Sequence, residues 1–272
     1  MTSFDTTGPV ALRISLSGGE VTIEAVDRPG VDVEVVPLRD NDVTRKAVAE
    51  TRVEMIDRGA GHEVIVEIGK SSGFTLGRGA KVGVRVRCPL GSDVSFRASS
   101  ADLDGTGQLG AVDAKSASGD ITLEDVRRLE ADTASGDVRV RDIAETLAVR
   151  TASGDVTARR CLGPLSANLV SGDLIVAEAA AGLAATTVSG DVYVSAAGGG
   201  DMRLQAVSGD VHLAISRGER IYVDAASVSG TMQSELGLDN GPQLDADGPV
   251  YDVRVRTVSG DLQITRATAV HS

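Results

Sequence analysis

The sequence predicts an all-β protein: a single-stranded parallel β-helix, or solenoid, with about 18 residues per rung and an N-terminal β-rich cap. Three observations predict it. A Ser-Gly-Asp triplet recurs from Ser118 to Asp261 of the 272 residues. Apolar residues fall into columns when the repeats are aligned on that triplet. The side chains available for the interior are small and aliphatic, with Trp absent and only three Tyr and three Phe.

The triplet stands at Ser118-Gly119-Asp120, Ser135-Gly136-Asp137, Ser153-Gly154-Asp155 and Ser171-Gly172-Asp173. It recurs at Ser189-Gly190-Asp191, Ser208-Gly209-Asp210 and Ser259-Gly260-Asp261, with a variant at Ser229-Gly230-Thr231 and a degenerate form at Ser100-Ala101-Asp102. Successive Ser positions from 100 to 208 are 18, 17, 18, 18, 18 and 19 residues apart, and the next gaps are 21 and 30. The last rungs therefore carry insertions.

Three residues after the Ser runs an apolar column: Leu103, Ile121, Val138, Val156, Leu174, Val192, Val211, Met232 and Leu262. Two further on lie Leu123, Val140, Ala158, Val176, Val194, Leu213 and Ile264, separated from the first column by polar or large residues such as Thr122, Arg139, Tyr193 and His212. Period-two alternation marks a half-buried strand. A second strand precedes the triplet, with Leu129, Leu147, Leu165 and Leu183 six residues before the Ser and Ala131, Val149, Ala167 and Ala185 four before it. Ser116, Thr133, Thr151, Leu169, Thr187, Ala206, Ser227 and Thr257 stand two before it, and a hydroxyl ladder is expected along the Ser and Thr of this column. Each rung thus reads as strand, tight corner, strand and looser return turn. One rung alone cannot bury its apolar side; stacking supplies both burial and backbone hydrogen bonds. A helical repeat conflicts with the period of two, and a propeller blade needs about 40 residues. A left-handed hexapeptide helix needs apolar residues at every sixth position, and the columns do not fall that way, so the right-handed form is favoured.

The ends differ from the repeat. Residues 1–98 are expected to form the β-rich capping region, residues 99–265 the parallel β-helix, and residues 266–272 a frayed tail. Val10–Leu16, Glu20–Ala25 and Val31–Val36 alternate, and Ser17-Gly18-Gly19 reads as a hairpin turn. A short helix is expected near 42–50, followed by strands near Arg52–Ile56, Glu63–Ile68, Lys81–Cys88 and Asp93–Ala98. Leu236–Pro249 reads as a loop and Tyr251–Ile264 as a last full rung.

With its Ser-Gly-Asp rungs, its opening Phe4-Asp5-Thr6, the segment Thr51-Arg52-Val53-Glu54 and the ending Val255-Arg256-Thr257-Val258-Ser259-Gly260-Asp261-Leu262-Gln263-Ile264, the chain resembles the bacterial "putative adhesin" family of unknown function, and within it the actinobacterial branch. The resemblance covers nearly the whole chain. It implies a β-helix and, for some relatives, a link to cell-envelope stress; the adhesin label implies a surface location.

Composition narrows the function. A net charge of −12 argues against a nucleic-acid partner and against adsorption to anionic lipid. The opening Met1-Thr2-Ser3-Phe4-Asp5 has no basic segment followed by an apolar run, and no stretch approaches the ~20 apolar residues of a membrane helix, so a cytoplasmic protein is expected. A chain whose leader had been removed would read alike. Cys88 and Cys161 form no C-x-x-C, and Cys161 reads as a small buried hydrophobe in a return turn.

The carboxylates Asp102, Asp120, Asp137, Asp155, Asp173, Asp191, Asp210 and Asp261 stack in one column. Calcium prefers oxygen ligands of this kind, and Asp120, Asp137, Asp155, Asp173, Asp191 and Asp210 are the candidate cation ladder. The Gly-Gly-x-Gly-x-Asp signature of calcium β-rolls is absent, so the favoured reading has Ser and Asp hydrogen-bonding a structural corner, with no cofactor. Val64 to Ser71 ends like a phosphate loop but lacks the first Gly, and Gly77-Arg78-Gly79 lacks a third Gly. His62, His212 and His271 are scattered, with His62 placed in a turn and His212 facing outward.

Polysaccharide lyases and hydrolases also use β-helices, but outward aromatics are nearly absent here and no paired-carboxylate constellation stands apart from the corner column. No catalytic residue is assigned. The expectation is a non-enzymatic binding or scaffold module with a protein partner. End-to-end self-assembly and a carbohydrate-active enzyme are the alternatives.

Overall fold

A computed structural model of the chain describes residues 1–59, 61–68, 80–218, 220–236 and 250–267. These are all-β apart from one eight-residue helix. They fall into two compact units, Met1–Arg141 and Asp142–Ser272.

The first unit contains β1 (Thr2–Phe4), β2 (Ala11–Val26), β3 (Val31–Pro37), α1 (Asp42–Ala49), β4 (Arg52–Asp57), β5 (His62–Glu67), β6 (Val82–Pro89), β7 (Asp93–Ser118), β8 (Ile121–Ser135) and the start of β9 (Val138–Ser153). Strand β2 is the middle of a parallel stack. Its first half pairs with β5 (Leu12↔Val64, Ile14↔Val66) and its second half with β6 (Val21↔Val84, Ile23↔Val86). Its other edge pairs with β7 (Leu12↔Val94, Ile14↔Phe96, Val21↔Leu103), and β7 pairs with β8 (Leu103↔Ile121, Ala114↔Ala131).

The hairpin expected at Ser17-Gly18-Gly19 is therefore not formed: one strand runs through it. Both edges of β2 are taken by parallel partners, which leaves no place for the strand to fold back on itself. Gly19 instead turns the strand through a corner at φ +137°, where a Cβ would lie 1.9 Å from the Val82 carbonyl oxygen.

Antiparallel strands finish the unit, β4 on β5, β3 on β6 and β1 on β3. Helix α1 starts at Asn41, whose side chain accepts the Thr44 N–H at 2.7 Å, the usual Asn N-cap. Thr44 and Ala47 face inward, and the Thr44 hydroxyl accepts the Lys81 N–H at 3.3 Å, tying the helix to the β6 entry. Phe96 is fully buried, the one large aromatic among the described core residues, which are otherwise mostly Val, Leu, Ile and Ala with Cys88, Cys161 and Met202.

The second unit contains the rest of β9, then β10 (Val156–Cys161), β11 (Leu165–Ser171), β12 (Leu174–Ala179), β13 (Leu183–Ser189), β14 (Val192–Ala197), β15 (Met202–Ser208), β16 (Val211–Ile215), β17 (Arg220–Ser229), β18 (Met232–Ser234), β19 (Val250–Ser259) and β20 (Leu262–Arg266). Two parallel ladders run through it in a solenoid-like arrangement. Before the corner the order is β9–β11–β13–β15–β19–β17. After it the order is β10–β12–β14–β16–β20–β18. The predicted columns are the register itself: Val156, Leu174, Val192, Val211 and Leu262 are consecutive neighbours.

The end of this order corrects the expectation that Tyr251–Ile264 forms the last rung. The rung of β19 and β20 is inserted between that of β15 and β16 and that of β17 and β18, so Arg220–Ser234 is outermost among the described rungs. The physical reason is composition. Val253, Val255, Leu262 and Ile264 are at most 2 % exposed, whereas Met232 is 51 % exposed and its strand offers Ser234 where β20 has Ile264. The rung with the better aliphatic set is the one covered on both sides. The loop expected at Leu236–Pro249 and the tail from Arg266 lie largely outside the described residues.

Candidate functional site

The repeated corner is the most regular chemical feature. At Gly190 the chain has φ +150°, and a Cβ would lie 2.1 Å from the Gly172 carbonyl oxygen. Only glycine lets one corner sit so closely on the next. That approach brings each Asp to the backbone of its neighbour. Asp102 Oδ1 accepts the Asp120 N–H at 3.0 Å and Asp120 Oδ1 the Asp137 N–H at 2.9 Å. In the second unit Asp155 accepts from Asp173 at 2.9 Å, Asp173 from Asp191 at 2.8 Å, Asp191 from Asp210 at 2.7 Å and Asp210 from Asp261 at 2.7 Å. Asp261 closes the series by accepting the Thr231 N–H at 2.7 Å.

The series has a direction: each carboxylate serves the amide of the rung stacked next. Thr231 stands on the outermost rung, where no described amide follows. The one Thr in the Asp column thus marks the rung that needs no acceptor. Outward oxygens have other partners, with Arg139 on Asp137 at 2.5 Å and the Tyr193 hydroxyl donating to Asp191 at 3.1 Å. Among the described residues no group of three or more His, Cys, Asp or Glu side chains is placed to hold a metal ion.

The same corner continues into the N-terminal region, which sequence reading missed. Gly18, Gly19 and Glu20 register with Ser100, Ala101 and Asp102. The available signal was Gly-Gly-acid followed by the alternating Val21 and Ile23. Asp104 lies beside this start of the column; burial, with Asp102, Glu20 and Asp120 nearby, raises its carboxyl above the ordinary value.

The other candidates separate. The hydroxyl column is not a ladder. Thr133 donates to the Gly136 carbonyl and Ser227 to the Gly260 carbonyl, both at 3.2 Å, but the buried hydroxyls of Ser116, Thr151, Thr187 and Thr257 find no partner among the described residues. Leu169 and Ala206 interrupt the column. Cys161 ends β10 fully buried, its thiol directed to the Gly163 carbonyl at 3.1 Å, and burial pushes both its pKa and that of Cys88 up to about 11. His62 opens β5 rather than lying in a turn, because its neighbours pair with β4. His212 faces outward and stacks on Tyr193, ring centroids 5.0 Å apart. These two rings, with Ser195, Gln263 and Arg266, line a shallow groove of about 370 Å³. His271, Gly69-Lys70-Ser71 and Gly77-Arg78-Gly79 lie outside the described residues.

The outward face of the β11–β13–β15–β19–β17 ladder carries a feature not read from the sequence. The residue just before each corner Ser is Val170, Val188, Val207, Val258 or Val228, in register on five adjacent strands and 46–82 % exposed. Alignment on the Ser shows this column at once, but only the fold shows that it faces outward. No described helix is long and apolar enough to cross a membrane.

Comparison with known proteins gives the following. The profile of the family described as "Toastrack DUF4097" matches residues 10–265. Among solved structures, one described as a putative adhesin from Bacteroides fragilis NCTC 9343 is 11% identical, with 97% of this chain and 95% of that chain covered, at a TM-score of 0.45. A second, described as a putative adhesin from Parabacteroides merdae ATCC 43184, is 12% identical over 97% of this chain and 95% of that chain, at 0.45. A third, described as a putative lipid binding protein from Parabacteroides distasonis ATCC 8503, is 12% identical over 97% and 96%, at 0.44. No curated protein matches the chain.

Proposed function

Given that this chain belongs to the Toastrack DUF4097 family, we propose that it is a non-enzymatic binding module that docks a protein partner on the valine-bearing sheet face of its second unit. In this reading the fold is a right-handed parallel β-helix of about 18 residues per rung, and the repeat shares its tight acidic corner with the actinobacterial relatives. One observation carries the proposal. The five valines Val170, Val188, Val207, Val258 and Val228 form an unbroken exposed apolar column. Singly exposed apolar side chains are ordinary, but a contiguous stripe marks an interaction surface. Covering the exposed half of each would contribute roughly 1 kcal/mol per valine. The flanking polar column of Asn168, Thr186, Gln205 and Arg256 would form the rim.

The test is capture from the native host, comparing the chain with the double variant Val188→Lys, Val207→Lys. Both positions are half-exposed, so the variant keeps its circular-dichroism spectrum and melting temperature. A defined partner retained by the chain and lost by the variant supports the proposal; equal retention overturns the face. Turnover of a polysaccharide by the purified chain, abolished by substituting a surface carboxylate, would overturn the non-enzymatic part. End-to-end self-association is a second reading, favoured by the half-open outermost rung at Met232. Light scattering that gives a monomer at all concentrations rules it out.

A further inference from the structure

A groove of about 430 Å³ opens on the same ladder of the second unit, at the strand starts, four residues before the valine column on each strand. Its floor is a rung without side-chain bulk: Ala181, Gly182 and Ala184. Pro164 rises on one side, and Arg203, Arg254, Asp201 and Asp252 on the other. In register, Ala184, Arg203 and Arg254 are consecutive neighbours in one outward column. Adjacent strands lie only about 4.8 Å apart, and like charges set directly opposite destabilise a sheet. Arg254 is relieved by Asp252, whose Oδ2 accepts from its Nη2 at 2.9 Å. Arg203 has no acceptor among the described residues. An anion in the recess would bridge the two guanidiniums and remove the repulsion, with the fork of Arg203 suited to a carboxylate.

The two aspartates restrict which anion. Asp252 is spent on Arg254, and Asp201 uses Oδ1 to accept the Asp252 N–H at 3.0 Å. Asp201 also lines the groove, and its second carboxylate oxygen has no bond among the described residues, so it remains available as an acceptor. A bare anion would meet that charge unfavourably, whereas a ligand carrying hydroxyls beside its carboxylate would donate to it. We infer that this groove binds an acidic sugar, its carboxylate on Arg203 and its hydroxyls on Asp201. The site is separate from the valine column, so its failure leaves the docking proposal standing.

Calorimetry on the full chain at low salt tests the inference, with glucuronate, glucose and acetate as probes. Glucuronate is expected to bind at least about tenfold more tightly than either of the others, because only it satisfies both groups. Arg203→Gln is expected to reduce glucuronate affinity about tenfold, to the level of glucose. Ala184→Leu, which fills the recess, is expected to abolish binding. Both residues are exposed, and Arg203→Lys, which keeps the charge but not the fork, supplies an intermediate should the Gln variant misfold. Absence of glucuronate binding, acetate equal to glucuronate, or unchanged affinity in Arg203→Gln would each overturn it.

Discussion

At the scale of single residues the corner glycines Gly172, Gly190, Gly209, Gly230 and Gly260 are constrained on two counts, backbone conformation and contact. Gly190→Ala would place a Cβ 2.1 Å from the Gly172 carbonyl oxygen at φ +150°. Chemical denaturation is expected to show a loss of about 2–4 kcal/mol. Gly218 has φ +86° with open space around its Cβ position, and Gly218→Ala is expected to cost only about 1 kcal/mol. Asp104 makes a contrasting case. Its raised pKa, caused by burial and then by Asp102, Glu20 and Asp120, means that its ionised form is disfavoured in the folded chain. Its contribution is complete below the ordinary carboxylate value and lost as pH rises through the raised one. Asp104→Asn is therefore expected to stabilise the chain at pH 7 by a few tenths of a kcal/mol, about the size of one relieved cross-strand repulsion, and to have no effect at pH 3. Melting curves at the two pH values check the sign.

At the scale of elements the exchanged order of the last two rungs is testable by their burial. Val253 on β19 is fully buried, whereas its register partner Val223 on β17 is only partly so. Val253→Ala is expected to cost about 2 kcal/mol and Val223→Ala less than half of that. If the rungs stacked in chain order, the two costs would be reversed. The same ladder explains why Thr is accepted at position 231 and Asp at 261. Asp261 Oδ1 serves a following amide, while Thr231 only donates. The triplet spacing made strands and corners legible, because side-chain alternation is local. The order of the final rungs was not, because a gap of 30 residues is long enough to carry the chain past one rung and back. The hairpin expected at Ser17-Gly18-Gly19 has a similar origin, since Gly-rich turns and the Gly corners of stacked parallel strands share one local signature.

At the scale of the whole molecule two properties follow from how the cores are built. Both thiols are buried with their pKa raised to about 11, so the reactive thiolate is scarce at neutral pH. A thiol reagent at pH 8 is expected to modify neither Cys88 nor Cys161 in the folded chain and both after unfolding. Their contribution to stability is complete below the ordinary thiol value near 9 and is lost as pH rises towards 11, so alkaline melting temperatures should fall across that window. The corner carboxylates bear on calcium. With Oδ1 of Asp102, Asp120, Asp155, Asp173, Asp191, Asp210 and Asp261 engaged by a backbone amide, adding calcium and then a chelator is expected to shift the melting temperature by less than about 1 °C. A large shift would restore the cation ladder as the reading of that column.

What the sequence by itself determined is the repeating unit: its two strands, its aliphatic columns and its Gly-Asp corner. Each of these is a relation between residues a few positions apart, or one rung apart at constant spacing. What only the tertiary structure decided is which rungs adjoin, which outward columns lie side by side, and what each carboxylate accepts. Those depend on contacts across insertions of variable length, where burial of the better aliphatic rung outweighs the order of the chain.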